Sequence, residues 1–184
     1  MVDPFTLQTI GILLTGLTVS IAAIYYTFTL RYTRRNIELQ LETRQAQLFM
    51  QTYRETVTVE LQTLAWEILE WKWTDFADFN EKFYSDPRKR GEWVSFMIHM
   101  NGIGILLKEN YIDSELLYKM DQGGMAPLIW WHKFEPIIVG LREQMHNPSV
   151  MKYFEYYVDE MIRLRKLNGL PSKWSTEQGR FLNE

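Results

Sequence analysis

Residues 5–30 read FTLQTIGILLTGLTVSIAAIYYTFTL, a run that contains no Asp, Glu, Lys, Arg or His. A helix needs about 20 mostly apolar residues to cross the roughly 30 Å hydrocarbon core of a bilayer, and this run is longer than that. A cleaved signal peptide would have a basic amino-terminal region, a shorter apolar stretch and a small-residue cleavage site. The run is preceded by Met-Val-Asp-Pro and shows no Ala-x-Ala pattern before its end. We therefore predict an uncleaved transmembrane anchor within residues 1–30.

The charges that flank this run predict its orientation. Only Asp3 precedes it, whereas Arg31, Arg34 and Arg35 follow it. Because cationic residues close to a transmembrane helix stay in the cytoplasm, we expect a single-pass protein of the cell membrane with its N-terminus outside and its C-terminal domain in the cytoplasm. We interpret the three arginines as topology signals. Their alternative role is to bind anionic lipid headgroups, which would contribute on the order of 1 kcal/mol each.

Small residues recur along one face of the predicted membrane helix and form its candidate packing face: Thr9, Gly16, Ser20, Ala23 and Thr27. Helices in lipid associate through close packing at such faces, because lipid tails are as apolar as the helices themselves. Leu13 interrupts the face. Two alternatives stay open: this face packs against a second copy or a partner helix, or it makes no helix contact.

The rest of the chain reads as a stalk, one helical domain and a tail. Residues 31–45 are polar on nearly all faces, which is typical of a bridging helix. Residues 46–170 carry apolar side chains at helical spacing, beginning with a stripe from Phe49 to Ile68 that predicts a helix closing at Trp71. Residues 171–184 form a polar C-terminal tail.

This organisation predicts an all-α protein. One N-terminal transmembrane helix continues into a cytoplasmic helical-bundle domain, and no alternating strand pattern or internal repeat is visible. No Gly or Pro occurs between Leu17 and Asp86. Whether the transmembrane helix and the first domain helix are continuous is left open.

Local signals divide the domain into helices. Asp86-Pro87 and Asn147-Pro148 each predict a helix start. Pro136 lies inside a helical pattern and predicts a kink or a split. The basic run at residues 88–90 is expected to be a solvated loop. Residues 101–104, Asn-Gly-Ile-Gly, lack the preceding strand and third glycine of a dinucleotide fingerprint, so their glycines are predicted to admit a neighbouring helix.

Composition and motifs favour a non-enzymatic protein. The formal net charge of -3 gives no global basic field for nucleic acid. The absence of cysteine excludes a disulfide framework, thiolate metal sites and a cysteine nucleophile. Glu143 and His146 have the spacing of half a di-iron site, but the second half is missing. We therefore assign no catalytic, cofactor-binding or metal-binding residue.

Trp130 and Trp131 form the candidate partner surface. Adjacent side chains on a helix point about 100° apart, so both are hard to bury in one core face. Tryptophan is also enriched at protein contacts. The alternative interpretation, which we prefer, places both rings between the helix layers of the domain.

Several stretches carry a resemblance to a known family. They are LRYTRRN at residues 30–36, ETRQAQLF at 42–49, GIGILLK at 102–108 with Tyr111-Ile112-Asp113, and Trp131 with Pro136-Ile137-Ile138 and Arg142. With these stretches the chain resembles a family of uncharacterised prokaryotic membrane-anchored proteins, known only as a domain of unknown function. The resemblance spans most of the chain and implies a single-span anchor with a helical cytoplasmic domain. It implies no activity.

From these features we expect a non-enzymatic, membrane-anchored interaction protein. It would be a homo-oligomer, or an accessory or structural subunit of a larger membrane protein complex. Its expected partners are the lipid bilayer and other membrane protein subunits or itself, and not nucleic acid. The alternative is a membrane-tethered enzyme or a ligand or lipid sensor, with a pocket between helices near Trp66, Trp130 and His99.

Overall fold

The computed structural model describes residues 3–171, which are helical and form no strand. The helices are α1 (Pro4–Thr56), α2 (Val59–Glu70), α3 (Phe76–Phe79) with a π-helical turn (Asn80–Tyr84), α4 (Pro87–Lys108), α5 (Ser114–Met120), α6 (Met125–Gln144) and α7 (Lys152–Leu167). The chain divides into an N-terminal unit, Met1–Arg44, and a C-terminal unit, Gln45–Glu184. The all-α prediction is confirmed for the described residues. The predicted tail lies outside them from residue 172 onward.

Helix α1 ends at Thr56 although no glycine or proline is nearby. Thr58 adopts an extended backbone with ψ 142°, and its hydroxyl accepts a hydrogen bond from the Leu61 amide, so Thr58 caps α2. The Gln62 side-chain amide donates to the Thr56 carbonyl at 2.8 Å, which satisfies one orphan acceptor of the last turn of α1. The stripe from Phe49 to Ile68 therefore lies on two helices, and the prediction of one helix was wrong.

The end of α2 is capped from another helix. Its last residue is Glu70, one residue before the predicted closure at Trp71. The Lys133 ammonium of α6 donates to the Leu69 and Trp71 carbonyls, each at 2.7 Å, and lies 4.5 Å from the ring centroid of Trp73. A cation at a helix C-terminus is favourable because the orphan carbonyls there carry partial negative charge.

The start of α4 confirms one prediction and corrects another. The Asp86 carboxylate accepts from the Arg88 and Lys89 amides at 2.8 and 3.2 Å, and Pro87 occupies the first helical position, as predicted. The basic run at residues 88–90 is therefore the first turn of a helix, and the prediction of a loop was wrong. Its cations have partners: Arg88 pairs with Glu92 at 3.1 Å, while the other two lie over aromatic rings, Lys89 over Phe83 and Arg90 over Tyr84.

Helices α4 and α7 pack backbone to backbone at Gly104. A Cβ atom on Gly104 would lie 1.9 Å from the Tyr153 carbonyl oxygen, so no other residue fits without a shift of the helices. Nearby, the Asn101 side-chain oxygen accepts from the Tyr153 and Phe154 amides at 3.1 and 3.2 Å. The Asn101 side chain of α4 thus supplies the acceptor for two amides in the first turn of α7, where amides lack partners within their own helix. The prediction for residues 101–104 is confirmed for Gly104, whereas a Cβ atom added at Gly102 would meet no neighbouring atom within 4 Å.

The prediction of a helix start at Asn147-Pro148 was wrong, and of the two outcomes predicted for Pro136, a kink or a split, the split is excluded. Helix α7 begins at Lys152, because the Asn147 side chain accepts from the Ser149 amide and forms a turn in place of a helix cap. Helix α6 continues through Pro136 without a split. Pro136 is exposed, and on the solvent side of a helix water can replace the hydrogen bond that proline lacks.

The core of the C-terminal unit is rich in aromatic rings. Trp130 is 8% exposed, stacks on Phe134 at a centroid distance of 6.1 Å and lies 4.4 Å from Phe96. Trp131 is half-buried, edge-on to Phe154 at 5.4 Å. Both rings pack between helices, as in the interpretation we prefer. Trp130 is therefore a core residue and not part of an exposed partner surface.

We expect Gly104→Ala to lower the free energy of unfolding by about 3 kcal/mol or more, because the new methyl group overlaps the α7 backbone. Gly102→Ala, in the same helix but facing open space, should raise it by roughly 0.5–1 kcal/mol. Urea unfolding of the full chain in mild detergent, followed by tryptophan fluorescence, measures both. Equal effects of the two variants would contradict the described α4–α7 contact.

Candidate functional site

The serine and threonine hydroxyls of the apolar segment of α1 bond to their own helix. Each Ser and Thr hydroxyl between Leu7 and Leu30 donates to the backbone carbonyl four residues earlier, at 2.8–2.9 Å: Thr9, Thr15, Thr18, Ser20, Thr27 and Thr29. In hydrocarbon an unpaired hydroxyl is costly, so a lipid-facing helix requires such internal bonds. The other polar side chains of this stretch lie toward its ends, Gln8 near the N-terminal end and Tyr25 and Tyr26 near the C-terminal end.

This segment exposes its apolar side chains. Every residue described between Leu7 and Leu30 is exposed, with Leu13 at 68% and Phe28 at 65%. Among residues 3–171, α1 is the one helix long and apolar enough to cross a membrane, with a mean hydropathy of 1.9 in its most apolar window. A continuous exposed apolar surface is unfavourable in water and is typical of a segment that contacts a membrane or another protein.

The predicted small-residue face and the three arginines lie in the N-terminal unit. A Cβ atom added at Gly16 would meet no neighbouring side chain or other segment within 4 Å, so this position of the face is open to a neighbouring helix. The hydroxyls of Thr9, Ser20 and Thr27 are turned back to their own helix. The cationic cluster that follows is exposed and makes no ion pair within the part of the chain that the structure describes: Arg31, Arg34 and Arg35.

The C-terminal unit holds a buried polar centre at the turn between α5 and α6. The hydroxyl of Tyr157, which is 1% exposed, donates to the Asp121 carboxylate at the end of α5. Gly123 and Gly124 follow with φ of +85° and +68°, values that favour glycine. The turn between α5 and α6 is therefore the place where the Asp121 carboxylate meets the buried Tyr157 hydroxyl.

A buried guanidinium supports the same turn. Arg165 of α7 is 4% exposed and donates to two backbone carbonyls, to Gly123 through Nη1 at 2.6 Å and to Pro171 through Nε at 2.7 Å. Bonds of this type compensate part of the cost of removing a cation from water. Arg165 thereby ties the segment after α7 to the α5–α6 turn.

Burial governs the titration of this centre. It raises the pKa of Asp121 to about 6, against the smaller opposing effect of the hydrogen bond from Tyr157. Burial and the neighbouring Asp121 carboxylate raise the pKa of the Tyr157 phenol well above its ordinary value. Asp121 therefore titrates near neutrality, which is unusual for a carboxylic acid.

An open groove of about 490 Å³ lies between the end of α2 and the start of α4. Trp71 lines it together with charged side chains: Glu67, Glu70, Asp86, Arg88, Lys89 and Glu92. Most of these charged side chains have partners within the domain: Asp86 caps α4, Arg88 pairs with Glu92, and the Lys89 ammonium lies over the Phe83 ring. No group of three or more His, Asp or Glu side chains within residues 3–171 is arranged to hold a metal ion.

The residues of the alternative pocket occupy different environments. Trp66 is 62% exposed, whereas Trp130 is buried in the aromatic core. His99 is half-buried, with Nε2 3.4 Å from the Thr56 hydroxyl, and burial lowers its pKa. The fully buried indole N–H of Trp93 finds no hydrogen-bond partner within residues 3–171, but this ring belongs to the aromatic core. This arrangement provides no nucleophile paired with a base.

Sequence reasoning missed the Asp121–Tyr157–Arg165 centre. The turn itself was predictable from Gly123-Gly124, but the buried groups come from a helix more than thirty residues away in sequence. One signal was present: Arg165 follows Met161 by four residues on the apolar stripe of α7, a position where a charged side chain is unexpected.

The raised pKa of Asp121 predicts a pH-dependent stability. The folded chain holds this proton with a pKa of about 6 and the unfolded chain with one near 3.8, so the stabilisation is fully present below pH 3.8 and lost as the pH rises through 6. The loss is bounded at roughly 3 kcal/mol. Asp121→Asn keeps an acceptor for Tyr157 and removes the titration.

We therefore expect the difference in unfolding free energy between pH 4.5 and pH 7.5 to be smaller in Asp121→Asn than in the natural chain. Tyr157→Phe removes the hydrogen bond that lowers the pKa, so it should enlarge the same difference. Urea unfolding at the two pH values measures it. An identical difference in all three proteins would contradict this assignment.

Comparison with known proteins identifies a family and nothing further. No curated protein and no solved structure matches the chain. Residues 10–161 match a domain of unknown function, DUF4760. The match covers most of the chain, including the apolar segment from Ile10 onward, helices α2 to α6 and most of α7. It confirms that the resemblance was to an uncharacterised family. The chain belongs to the DUF4760 family.

Proposed function

We propose that this protein is a non-enzymatic, membrane-anchored interaction protein, acting as a homo-oligomer or as an accessory subunit of a membrane protein complex. The observation that carries the proposal is the apolar segment of α1, whose side chains are exposed and whose hydroxyls bond to their own backbone. A bilayer and a partner helix are the two environments that suit such a surface. The C-terminal unit would then be the cytoplasmic helical domain.

The proposed contact within the membrane is the small-residue face. Gly16 lies near its middle, and a side chain added there meets no atom of the chain itself. Glycine at such a position lets a second backbone approach closely. In the cytoplasmic domain, Trp66 on α2 is the most exposed of the tryptophans described and replaces Trp130 as the candidate contact residue. An enzyme or ligand sensor stays the alternative, and a small molecule that co-purifies with the protein would favour it.

We expect Gly16→Leu to convert the native complex, whether with itself or with a partner, into a smaller species. The matched control is Gly11→Leu. Gly11 is also a helical glycine at which an added Cβ atom meets nothing within 4 Å, but it points about 140° away around the helix. Native mass spectrometry of the protein extracted in mild detergent measures both. A lone monomer in the natural chain, or equal effects of the two variants, would contradict the proposed contact.

The proposed topology can be tested with single cysteines, since the chain contains none. Asp3→Cys should react with a membrane-impermeant maleimide added to intact cells. Lys166→Cys, at an exposed position near the end of α7, should react only after the cells are lysed. Labelling of Lys166→Cys in intact cells would contradict the proposed orientation. Recovery of the chain in the soluble fraction would contradict the proposed membrane anchor.

A further inference from the structure

Three cations lie together where the apolar segment ends. Arg31, Arg34 and Arg35 follow Leu30 on α1 within little more than one helical turn, and their side chains are exposed. Within residues 3–171 none of them forms an ion pair. Like charges at neighbouring positions of a helix repel one another, so the cluster favours an anionic partner from outside the chain.

We propose that Arg31, Arg34 and Arg35 bind the phosphate groups of anionic phospholipids. The inference rests on the membrane anchoring proposed above and deepens it, because it names the lipid chemistry at the cytoplasmic end of the transmembrane helix. The occupant is a lipid headgroup held in the bilayer, as opposed to a soluble phosphate compound.

The depth of the cluster matches the headgroup layer. At 1.5 Å per residue, Arg35 lies about 7.5 Å beyond Leu30 along the helix axis. The headgroup layer on each side of a bilayer is roughly 5–8 Å thick. Tyr25, Tyr26 and Tyr32 are exposed around the same end of the segment, with Tyr25 at 73%, and tyrosine prefers this boundary between hydrocarbon and water.

The chemistry of the cluster fits phosphate. A guanidinium presents several N–H donors in a planar fork that can bind two phosphate oxygens at once. The first carboxylates that follow are Glu38 and Glu42, about one and two turns farther from the apolar segment. The positive charge is therefore concentrated at the level of the lipid phosphates.

The test uses the full chain reconstituted in vesicles of phosphatidylcholine with and without phosphatidylglycerol. Spin-labelled versions of the two lipids report how strongly each associates with the protein. We expect at least about a fivefold preference for phosphatidylglycerol at 50 mM salt, reduced severalfold at 500 mM salt as the charges are screened. The triple variant Arg31→Gln, Arg34→Gln, Arg35→Gln should lose the preference.

Arg44→Gln is the matched control. Arg44 is exposed on the same helix but lies about 20 Å beyond Leu30, outside the headgroup layer, so its loss should leave the preference unchanged. Equal loss in Arg44→Gln and in the triple variant would overturn the inference. Displacement of the labelled lipid by 20 mM inorganic phosphate, at matched ionic strength, would overturn the choice of a lipid occupant.

Flotation separates this inference from the proposed function. Failure of the natural chain to float with either type of vesicle would contradict both the proposed membrane anchor and the proposed lipid binding. Flotation with both types but no lipid preference would overturn the inference alone. Flotation of the triple variant shows that its lost preference does not come from failed insertion.

Discussion

An apolar helix segment without an apolar neighbour is the constraint on which the organisation of this chain depends. Between Leu7 and Leu30 the described side chains are exposed, and the serine and threonine hydroxyls are bonded to the helix itself. Burial of apolar surface is the main driving force of folding, at roughly 25 cal/mol per Å². Within residues 3–171 the side chains of this segment stay exposed, so the proposed function assigns them an environment outside the chain. A membrane would cover this apolar surface without selecting particular residues, whereas a partner helix would select the residues that pack against it.

The C-terminal unit is stabilised in the ordinary way of a globular domain. Its helix ends are satisfied by side chains from other helices: Lys133 at the end of α2 and Asn101 at the start of α7. Gly104 permits close contact of α4 with α7, and Arg165 fastens the α5–α6 turn. Each of these contacts joins residues far apart in sequence. The unit is therefore held together by long-range polar contacts as well as by its aromatic core.

The fold class and several helix boundaries were predictable because their causes are local. The charge-free run, the Asp86-Pro87 cap and the Gly123-Gly124 turn depend on neighbouring residues alone. The start of α7 was not predictable, because its cap comes from Asn101 in another helix, while the nearer Asn147 forms a turn. The break before α2 depends on the cap that Thr58 forms. Because threonine occurs inside helices as well as at their ends, this residue alone did not predict a helix boundary.

The candidate sites follow the same division. The cluster of arginines beside the apolar run is visible in the sequence, since adjacency along the chain is sufficient to find it. The Asp121–Tyr157 pair requires knowledge of which helices meet. The burial of Trp130 likewise depends on Phe96, a residue of α4. Chemistry created by long-range packing is beyond the reach of motif and spacing arguments.

The position of Asn101 has a consequence for synthesis on the ribosome. The residues that begin α7 leave the exit tunnel about fifty positions after the side chain that completes their first turn. Until the two segments meet, the amides of Tyr153 and Phe154 are hydrated and the nascent helix is weakened at its start. A chain truncated before α7 lacks the backbone that packs against Gly104. The α4–α7 contact therefore forms only after α7 has been synthesised.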